Sequence, residues 1–291
     1  MGNYVISCCS TVDLERAHLD SRDIKYIYFH YELDGKPYDD DLWLTMSCED
    51  FYRAMEEGAD TKTSQVNAGE FEEYFEGFLK EGRDIIHVTL ASGISGVLNS
   101  ALIAKSILEE RYPQRKIYVI DSLGASGGYG LIMDKLADLR DAGLSVDEAA
   151  AWIEMHKLEL HSWFFVTDLK YLVRGGRVSR VAGFMGNVLN ICPLLNIDEE
   201  GKLIPRQKIR GKKKAVEVLV SQMENYAEQQ HDYAGNAYIV HSASLAEAEK
   251  LSECLKERFP NVKIRITNIG PTIGSHVGPG TVGLFFWGSR R

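Results

Sequence analysis

The sequence predicts an α/β protein with two domains, and the order of its strand-like and helix-like segments is the main reason. In the first half, short β-rich runs alternate with segments of helical apolar spacing, a pattern typical of βαβ crossovers and a mostly parallel sheet. In the second half, short hairpin links mix with crossovers, which predicts a mixed sheet. The length of 291 residues also favours two domains, since a domain usually has roughly 100–200 residues. We place the domains at residues 1–160 and 161–291, with a ligand between or beneath them.

The first half is predicted to contain four strands and the helices that connect them. The β-rich runs are Tyr4–Ser7, Ile24–Leu33, Asp84–Leu90 and Lys116–Ile120. Helical spacing is found at Ser47–Glu57, Gly69–Lys80, Ala101–Glu110 and Leu131–Leu139. A capping-box sequence at Ser145–Glu148 indicates the start of a further helix.

The second half is predicted to contain five strands, three helices and one unusual loop. The strands are Ser162–Thr167, Leu194–Ile197, Leu203–Ile209, Ala237–His241 and Lys263–Asn268. The helices are Phe184–Ile191, Ala215–Gln229 and Ala246–Arg258. The segment Ile269–Gly283 holds five glycines and two prolines, which predicts a rigid, sharply bent loop with His276 in its middle.

The composition excludes several classes of protein. Lys and Arg total 33 against 42 for Asp and Glu, and a net charge of −9 argues against non-specific binding to nucleic acid. Five cysteines without a CxxC pair are typical of a reduced, cytoplasmic protein of bacterial type. No apolar run reaches the ~18 residues that span a bilayer, so stable membrane insertion is not expected. His156 and His161 lack companion ligands, so no metal site is predicted.

Four polar loops are candidate binding segments. Three of them follow predicted strands: Cys9–Thr11, Ser92–Gly96 and Asp121-Ser122. The carboxyl ends of parallel strands share one crevice, and a Ser/Gly loop before a helix suits an anion. The fourth loop, Thr63–Gln65, precedes a helix, where an N-cap or a turn is an equally ordinary interpretation.

Two basic clusters contrast with the acidic whole. The segment 174–180 has three arginines and two glycines, and Lys202–Lys214 has seven Lys or Arg residues and no acid. Either cluster is a solvated face or an interaction surface. A nucleic-acid surface would carry interleaved aromatic residues, and Lys202–Lys214 has none.

Six segments in register resemble the DegV family across nearly the whole chain. They are Thr63–Gln65 with Gly69–Phe71, Ser92–Gly96, Asp121-Ser122, Arg174–Ser179, Arg210–Ala215 and Ile269–Gly280. The last segment, with its Gly/His/Gly-Pro-Gly pattern, is the most diagnostic. Two positions depart from the family pattern, because Cys9 stands where the family usually has Asp and Ala91 replaces the first Ser of a Ser-Ser-Gly loop.

The resemblance implies a protein that binds one long-chain fatty acid as the acyl-carrying subunit of bacterial fatty acid kinase. A partner kinase would phosphorylate the bound carboxylate with ATP, and the acyl phosphate would enter phospholipid synthesis. The carrier itself would need no catalytic residue and no cofactor. The resemblance assigns Thr63 and Ser92 to the carboxylate and places His276 near it. It gives further pocket or partner-surface residues, namely Ser64, Ser95, Ser122, Arg174, Arg177, Arg206 and Arg210.

Three further interpretations of the sequence remain open. Ser92 or Cys9 as a nucleophile would make the protein an acyl-ester hydrolase or transferase, although neither has a recognisable His/Asp pair. A lipid-sensing regulator without a kinase is the second interpretation, and a nucleic-acid regulator using Lys202–Lys214 is the third. The apolar residues Phe164, Phe184, Met185, Leu189 and Phe285 are candidates for the wall of an acyl tunnel and equally for ordinary core.

Overall fold

The computed structural model describes residues 4–179 and 190–291, in which strands and helices alternate along most of the chain. The strands of the described residues are β1 (Tyr4–Cys9), β2 (Ile24–Ile27), β3 (His30–Leu33), β4 (Lys36–Asp39), β5 (Thr61–Ser64), β6 (Asp84–Thr89), β7 (Ile117–Asp121), β8 (Leu160–Phe165), β9 (Ile191–Ile197), β10 (Leu203–Arg210), β11 (Asn236–His241), β12 (Lys263–Asn268) and β13 (Val282–Trp287). The α-helices are α1 (Arg16–Ser21), α2 (Cys48–Glu56), α3 (Ala68–Lys80), α4 (Val97–Arg111), α5 (Ser126–Asp141), α6 (Val146–His156), α7 (Lys170–Arg174), α8 (Lys212–Tyr226), α9 (Leu245–Arg258) and α10 (Pro271–Val277).

The first half contains the predicted parallel sheet. Its four strands lie in the order β2-β1-β6-β7, and each neighbouring pair is parallel. Both faces are buried, since Ile86 and Val88 of β6 belong to one apolar core and Ile85 belongs to another. Continuous apolar runs suit strands that are covered on both faces. The prediction of a parallel sheet is confirmed.

The second half contains the predicted mixed sheet. Its six strands lie in the order β10-β9-β8-β13-β11-β12, in which β11 and β12 are parallel and the other neighbours antiparallel. Helices α8 and α9 contribute Leu219 and Leu251 to the core that covers one face. Every strand of this sheet begins at or after Leu160. The exact domain boundary stays a prediction.

Helix α5 packs between the two large sheets, and its glycines allow the close approach. A Cβ atom on Gly128 would lie 2.8 Å from Phe285 Cδ1, and one on Gly130 would lie 3.1 Å from Leu14 Cγ. One apolar core consequently contains residues of both halves, including Ile6 and Phe285. The two halves are therefore held together by burial of apolar surface.

A small antiparallel sheet, in the order β4-β3-β5, is absent from the sequence prediction. The segment Ile24–Leu33, predicted as one strand, is two strands that belong to different sheets. Between them, the backbone N–H of Phe29 donates to Ser10 Oγ at 3.0 Å, which holds the chain where it leaves the parallel sheet. The small sheet places Thr63 of β5 opposite Tyr31 of β3.

The prediction of a bent loop for the Gly- and Pro-rich segment is wrong, because seven of its residues form helix α10. Gly270 is the N-cap and Pro271 takes the first helical position, where a missing N–H removes no intrahelical hydrogen bond. In this segment a positive φ occurs after the helix, at Gly278 (+72°) and Gly280 (+89°). The result is that His276 lies on a helix rather than at a loop tip.

The predicted helix over residues 184–191 falls almost entirely outside the described residues. Its last residue, Ile191, begins β9. Within residues 4–179 and 190–291, no helix combines the length and the apolar character needed to cross a bilayer.

Candidate ligand-binding site

A cavity of about 340 Å³ lies where the segments after β6 and β7 meet the six-stranded sheet and helix α10. This position agrees with the crevice that the sequence predicts at the carboxyl ends of the parallel strands. The wall is mostly apolar. Its apolar residues are Phe29, Leu90, Ile94, Ala125, Phe164, Leu172, Ile197, Leu203, Val240, Ile269, Ile273, Val277 and Phe285.

Both halves of the chain contribute to the apolar wall. Phe164 and Phe285, which the sequence indicates as candidate tunnel residues, both line it. The other three candidates, Phe184, Met185 and Leu189, lie outside the described residues. A cavity of this size and composition suits a small, largely hydrocarbon ligand.

Thr63 and His276 meet at the cavity wall although they are far apart in sequence. Thr63 lies near the end of β5, and His276 lies in the last turn of α10. Thr63 Oγ1 and His276 Nε2 are 2.8 Å apart, a hydrogen-bond distance. The small sheet and helix α10 therefore bring together two of the residues expected to bind a ligand.

The imidazole of His276 is held neutral. Burial lowers its pKa to about 4, and the positive charges of Arg177 and Arg174 contribute to the shift. Nδ1 is buried and has no hydrogen-bond partner among the described residues. Gly175 packs against this atom, since a Cβ on Gly175 would lie only 2.2 Å from it. The ring thus has one position, fixed by Thr63 on one side and Gly175 on the other.

Ser95, Gln65 and Arg177 add further polar groups to the wall near Thr63 and His276. Ser95 Oγ donates to Gln65 Oε1 at 3.4 Å, and Arg177 Nε donates to the carbonyl oxygen of Ile94 at 3.2 Å. Arg177 is half-buried, and a guanidinium stays charged at neutral pH. We call Thr63, Gln65, Ser95, Arg177 and His276 the polar cluster.

Ser92, which is predicted to hold the carboxylate, does not line the cavity. Its side chain is exposed, and its backbone N–H donates to Asp121 Oδ1 at 3.2 Å. The backbone N–H of Ser95 donates to the Ala91 carbonyl, and this turn leaves Ser95 rather than Ser92 at the wall. Ser95 is therefore the serine of this loop that lines the cavity, and the carboxylate-binding role of Ser92 stays a prediction.

The other two predicted serines differ in position. Ser64 lines the cavity beside Thr63. Ser122 is fully buried and does not line it, because its hydroxyl donates to the carbonyl of Gly124 at 3.0 Å. Ser122 thus stabilises the loop after β7.

Of the four predicted arginines, only Arg177 lines the cavity. Arg174 donates to Thr61 Oγ1 at 3.2 Å and pairs with Asp60 at 3.4 Å. Arg206 and Arg210 are exposed on β10, where Arg206 Nε donates to Asn196 Oδ1 at 2.8 Å. These three do not line the cavity, and their role at a partner surface stays a prediction.

Cys9, the second candidate nucleophile, is buried away from the cavity wall. Burial raises the pKa of its thiol, so that the thiolate needed for attack is scarce at neutral pH. Its sulfur lies 3.7 Å from His87 Nε2, but burial lowers the pKa of that histidine to about 3. This cluster of neutral groups is part of the core.

Sequence reasoning missed several residues of the wall. The segment Thr63–Gln65, predicted as a loop, begins inside strand β5, and Gln65 directly follows that strand. Gln65 has no predicted role of its own, although its place in the same segment as Thr63 could have indicated one. Thr272, Ile273 and Val277 reach the cavity because they lie at helical spacing on α10. The prediction of a loop for this segment gave no reason to expect that spacing. No local residue pattern marks Phe29 as a lining residue. It reaches the cavity because the chain leaves β2 and enters β3 at this point.

Comparison with known proteins agrees with this architecture. Residues 6–288 match the sequence profile of the DegV family of uncharacterised proteins. The chain is 33% identical over 280 residues to a fatty acid-binding protein of Thermotoga maritima, covering 94% of each chain. The crystal structure of a DegV lipid binding protein from Thermotoga maritima has a TM-score of 0.87 at 29% identity, over all of both chains. The Fatty Acid Kinase (Fak) B3 protein of Streptococcus pneumoniae, solved loaded with linoleic acid, has a TM-score of 0.84 at 26% identity over 99% of each chain.

Proposed function

Since the chain belongs to the DegV family, we propose that it binds one long-chain fatty acid, with the acyl chain in the cavity and the carboxylate at the polar cluster. The observation that carries this proposal is the composition of the wall. Apolar side chains from both halves surround most of the space, and the polar cluster holds the imidazole and the guanidinium of the wall. The other polar side chains of the wall are the hydroxyls of Ser64, Ser126, Thr272 and Thr281. Relatives described as fatty acid-binding or loaded with linoleic acid support the choice of ligand.

The polar cluster suits a carboxylate. The hydroxyls of Thr63 and Ser95 can donate to its oxygens, and Arg177 supplies a positive charge. His276 is neutral before the ligand arrives, so the site does not hold two cations in a buried space. A carboxylate placed among these groups is satisfied without a fully buried ion pair.

The acyl chain supplies most of the affinity. At ~0.8 kcal/mol for each buried CH₂, about fourteen methylenes contribute on the order of 11 kcal/mol before the cost of ordering the chain. The hydrogen bonds of the head group fix the orientation of the ligand in the cavity.

The direct test is mass spectrometry of lipid extracted from freshly purified protein. We expect one long-chain fatty acid per chain, retained through purification or taken up when oleate is added. Protein that carries no lipid and does not bind palmitate or oleate would contradict the proposal.

We further propose that the protein presents the carboxylate to an ATP-dependent fatty acid kinase and performs no chemistry itself. The similarity to the Fak B3 protein supports this role. The hydrolase hypothesis has no such support, because Cys9 is buried as a thiol and the Ser92 hydroxyl makes no hydrogen bond to a histidine in the described residues. The exposed arginines on β10 offer positive charge to a phosphate or an acidic partner.

Arg206→Ala/Arg210→Ala is expected to reduce acyl phosphate formation by at least about fivefold at low salt, and less at high salt, because exposed charges act on association. The affinity for fatty acid should not change, since neither residue lines the cavity. Phosphate transfer from ATP with a purified fatty acid kinase measures the effect. Lys213→Ala/Lys214→Ala, in the same basic segment but on α8, is the matched control. Equal loss in both variants would assign the effect to net charge rather than to β10.

Gly175→Ala is expected to weaken fatty acid binding by roughly 10- to 100-fold, because a Cβ 2.2 Å from His276 Nδ1 displaces the ring from Thr63. The backbone of Gly175 tolerates alanine, so the effect is steric at His276 rather than a failure of the turn. Titration calorimetry with oleate measures the affinity. Gly77→Ala is the control, since a Cβ there meets no atom within 4 Å. Unchanged binding in Gly175→Ala would remove His276 from the head-group site.

A further inference from the structure

A second, smaller cavity of about 110 Å³ adjoins the start of helix α10. Asp13, Asp40, Thr267 and Gly270 are among its lining residues. The first cavity is lined by Ile269 and Thr272 from the same turn of chain, so the two spaces share the beginning of α10 without sharing a lining residue.

Two buried carboxylates converge in the second cavity. Asp13 is 3% exposed and Asp40 is 1% exposed. The backbone N–H of Gly270 donates to Asp13 Oδ1 at 2.9 Å, and that of Thr272 donates to Asp40 Oδ2 at 3.3 Å. A Cβ on Gly270 would lie 2.9 Å from Asp13 Oδ1 and 3.4 Å from Asp40 Oδ1, so both carboxylates face one point that only glycine leaves open.

The described residues supply no cationic side chain to this pair, although the Ser126 hydroxyl donates to Asp13 Oδ2. Neither Asp13 nor Asp40 forms an ion pair with a described Lys, Arg or His. Arg16 lies at the rim, but its guanidinium is directed to Asp20 at 3.5 Å. A buried carboxylate is costly unless a proton or a cation accompanies it.

Two buried oxygens at this cavity also lack partners. Asp40 Oδ1 and Thr267 Oγ1 make no hydrogen bond within the described part of the chain, and Thr267 is 5% exposed. Orphaned buried oxygens indicate an ion or water that completes them. The threonine is independent of the acidic pair and lies on a different element, β12.

We propose that the second cavity binds one hard divalent cation, Mg²⁺ or Ca²⁺, between Asp13 and Asp40. Two carboxylates match two positive charges, and oxygen ligands are those that both ions prefer. The space accommodates an ion with a few waters, since a water takes about 30 Å³ in the liquid. Among described residues, no cluster of three or more His, Cys, Asp or Glu side chains is placed for a metal, so neutral oxygens and water complete the shell.

A cation in this cavity would also hold helix α10 in place. Asp13 and Asp40 accept hydrogen bonds from the first turn of α10, and the same helix carries Ile273 and His276 to the first cavity. An ion that fixes both carboxylates therefore fixes the helix that forms one wall of the binding site. This inference does not depend on which ligand the first cavity holds.

The test begins with protein treated with a chelator and dialysed into metal-free buffer at pH 7.5. Thermal unfolding is then followed with MgCl₂, with CaCl₂, and with NaCl at equal ionic strength. At about one hundred times the Kd, we expect one of the divalent ions to raise Tm by about 5 °C or more, and NaCl not to do so. Equilibrium dialysis should find one ion per chain.

Asp40→Asn should abolish the rise in Tm, while the amide oxygen can still accept from Thr272. Asp39→Asn is the matched control, because Asp39 is the adjacent carboxylate and its side chain is 60% exposed. A wild type that takes up neither ion in dialysis overturns the proposal, and a Tm that responds to pH but to no cation would assign a shared proton to the pair instead. Dialysis of the wild type decides the matter even where Asp40→Asn does not fold.

Discussion

Replacing Thr63 by valine and Ser95 by alanine is expected to raise the Kd for oleate by roughly 10²- to 10⁴-fold. Each hydroxyl that donates to a charged group contributes about 1.5–3 kcal/mol, and the double variant removes two of them. The acyl part of the cavity is untouched, so residual binding through the hydrocarbon chain should persist. Titration calorimetry on delipidated protein gives the affinity, and mass spectrometry of the purified variant should show substoichiometric lipid.

Two controls separate the head-group role from general damage. Ser92→Ala should bind as the wild type does, because Ser92 is exposed and does not line the cavity. Thr63→Ser keeps a hydroxyl and should retain most of the affinity. If Ser92→Ala loses the ligand while Ser95→Ala keeps it, the assignment of the carboxylate to Ser92 is correct and its proposed assignment to Ser95 is wrong.

The fold class was predictable because periodicity and connection length are local signals. Strand-like runs rich in apolar residues, such as Asp84–Leu90, indicate strands covered on both faces, and the structure places this run in the parallel sheet as β6. The small antiparallel sheet was not predictable in the same way. One β-rich run passes from one sheet to another between Ile27 and His30, and only the tertiary contact of Phe29 with Ser10 marks the change.

The candidate site was partly predictable for a similar reason. Thr63 and His276 belong to segments with recognisable residue patterns, and both line the cavity. The choice between Ser92 and Ser95 depends on the turn that follows Ala91, whose carbonyl accepts from both Ile94 and Ser95. The residue pattern of the loop contains both serines and does not encode which hydroxyl faces the cavity.

Helix α10 shows how composition can hide a regular element. Five glycines and two prolines lower helix propensity over residues 269–283, yet Pro271 stands at the one place where a helix tolerates it. Buried carboxylates of Asp13 and Asp40 accept from the first turn and stabilise its start. These acids lie 257 and 232 residues before the N–H groups that they accept from, so no local rule could supply them.

Ile273→Trp is expected to reduce affinity for palmitate and oleate by at least about 100-fold and to shift preference toward shorter fatty acids. Ile273 lies on α10 one turn before His276 and lines the cavity. The indole ring of tryptophan is larger than the isoleucine side chain, so it takes space that the acyl chain needs. Exclusion of about four methylenes removes roughly 3 kcal/mol of burial. Calorimetric titration with saturated acids of increasing chain length measures the shift.

An isoleucine-to-tryptophan substitution outside the cavity is the control for the loss of acyl-chain space. Ile103→Trp on α4 adds an equal volume at a side chain that is 53% exposed, and it should leave binding unchanged. Ile273→Trp should keep its Tm to within a few degrees, because the ring enters existing space rather than a packed core. Full affinity for long chains in a folded Ile273→Trp would mean that the acyl chain lies elsewhere, even if Thr63 and Ser95 proved essential. Loss of long-chain binding with retention of short acids would instead place the hydrocarbon against α10, the helix whose first turn donates to Asp13 and Asp40.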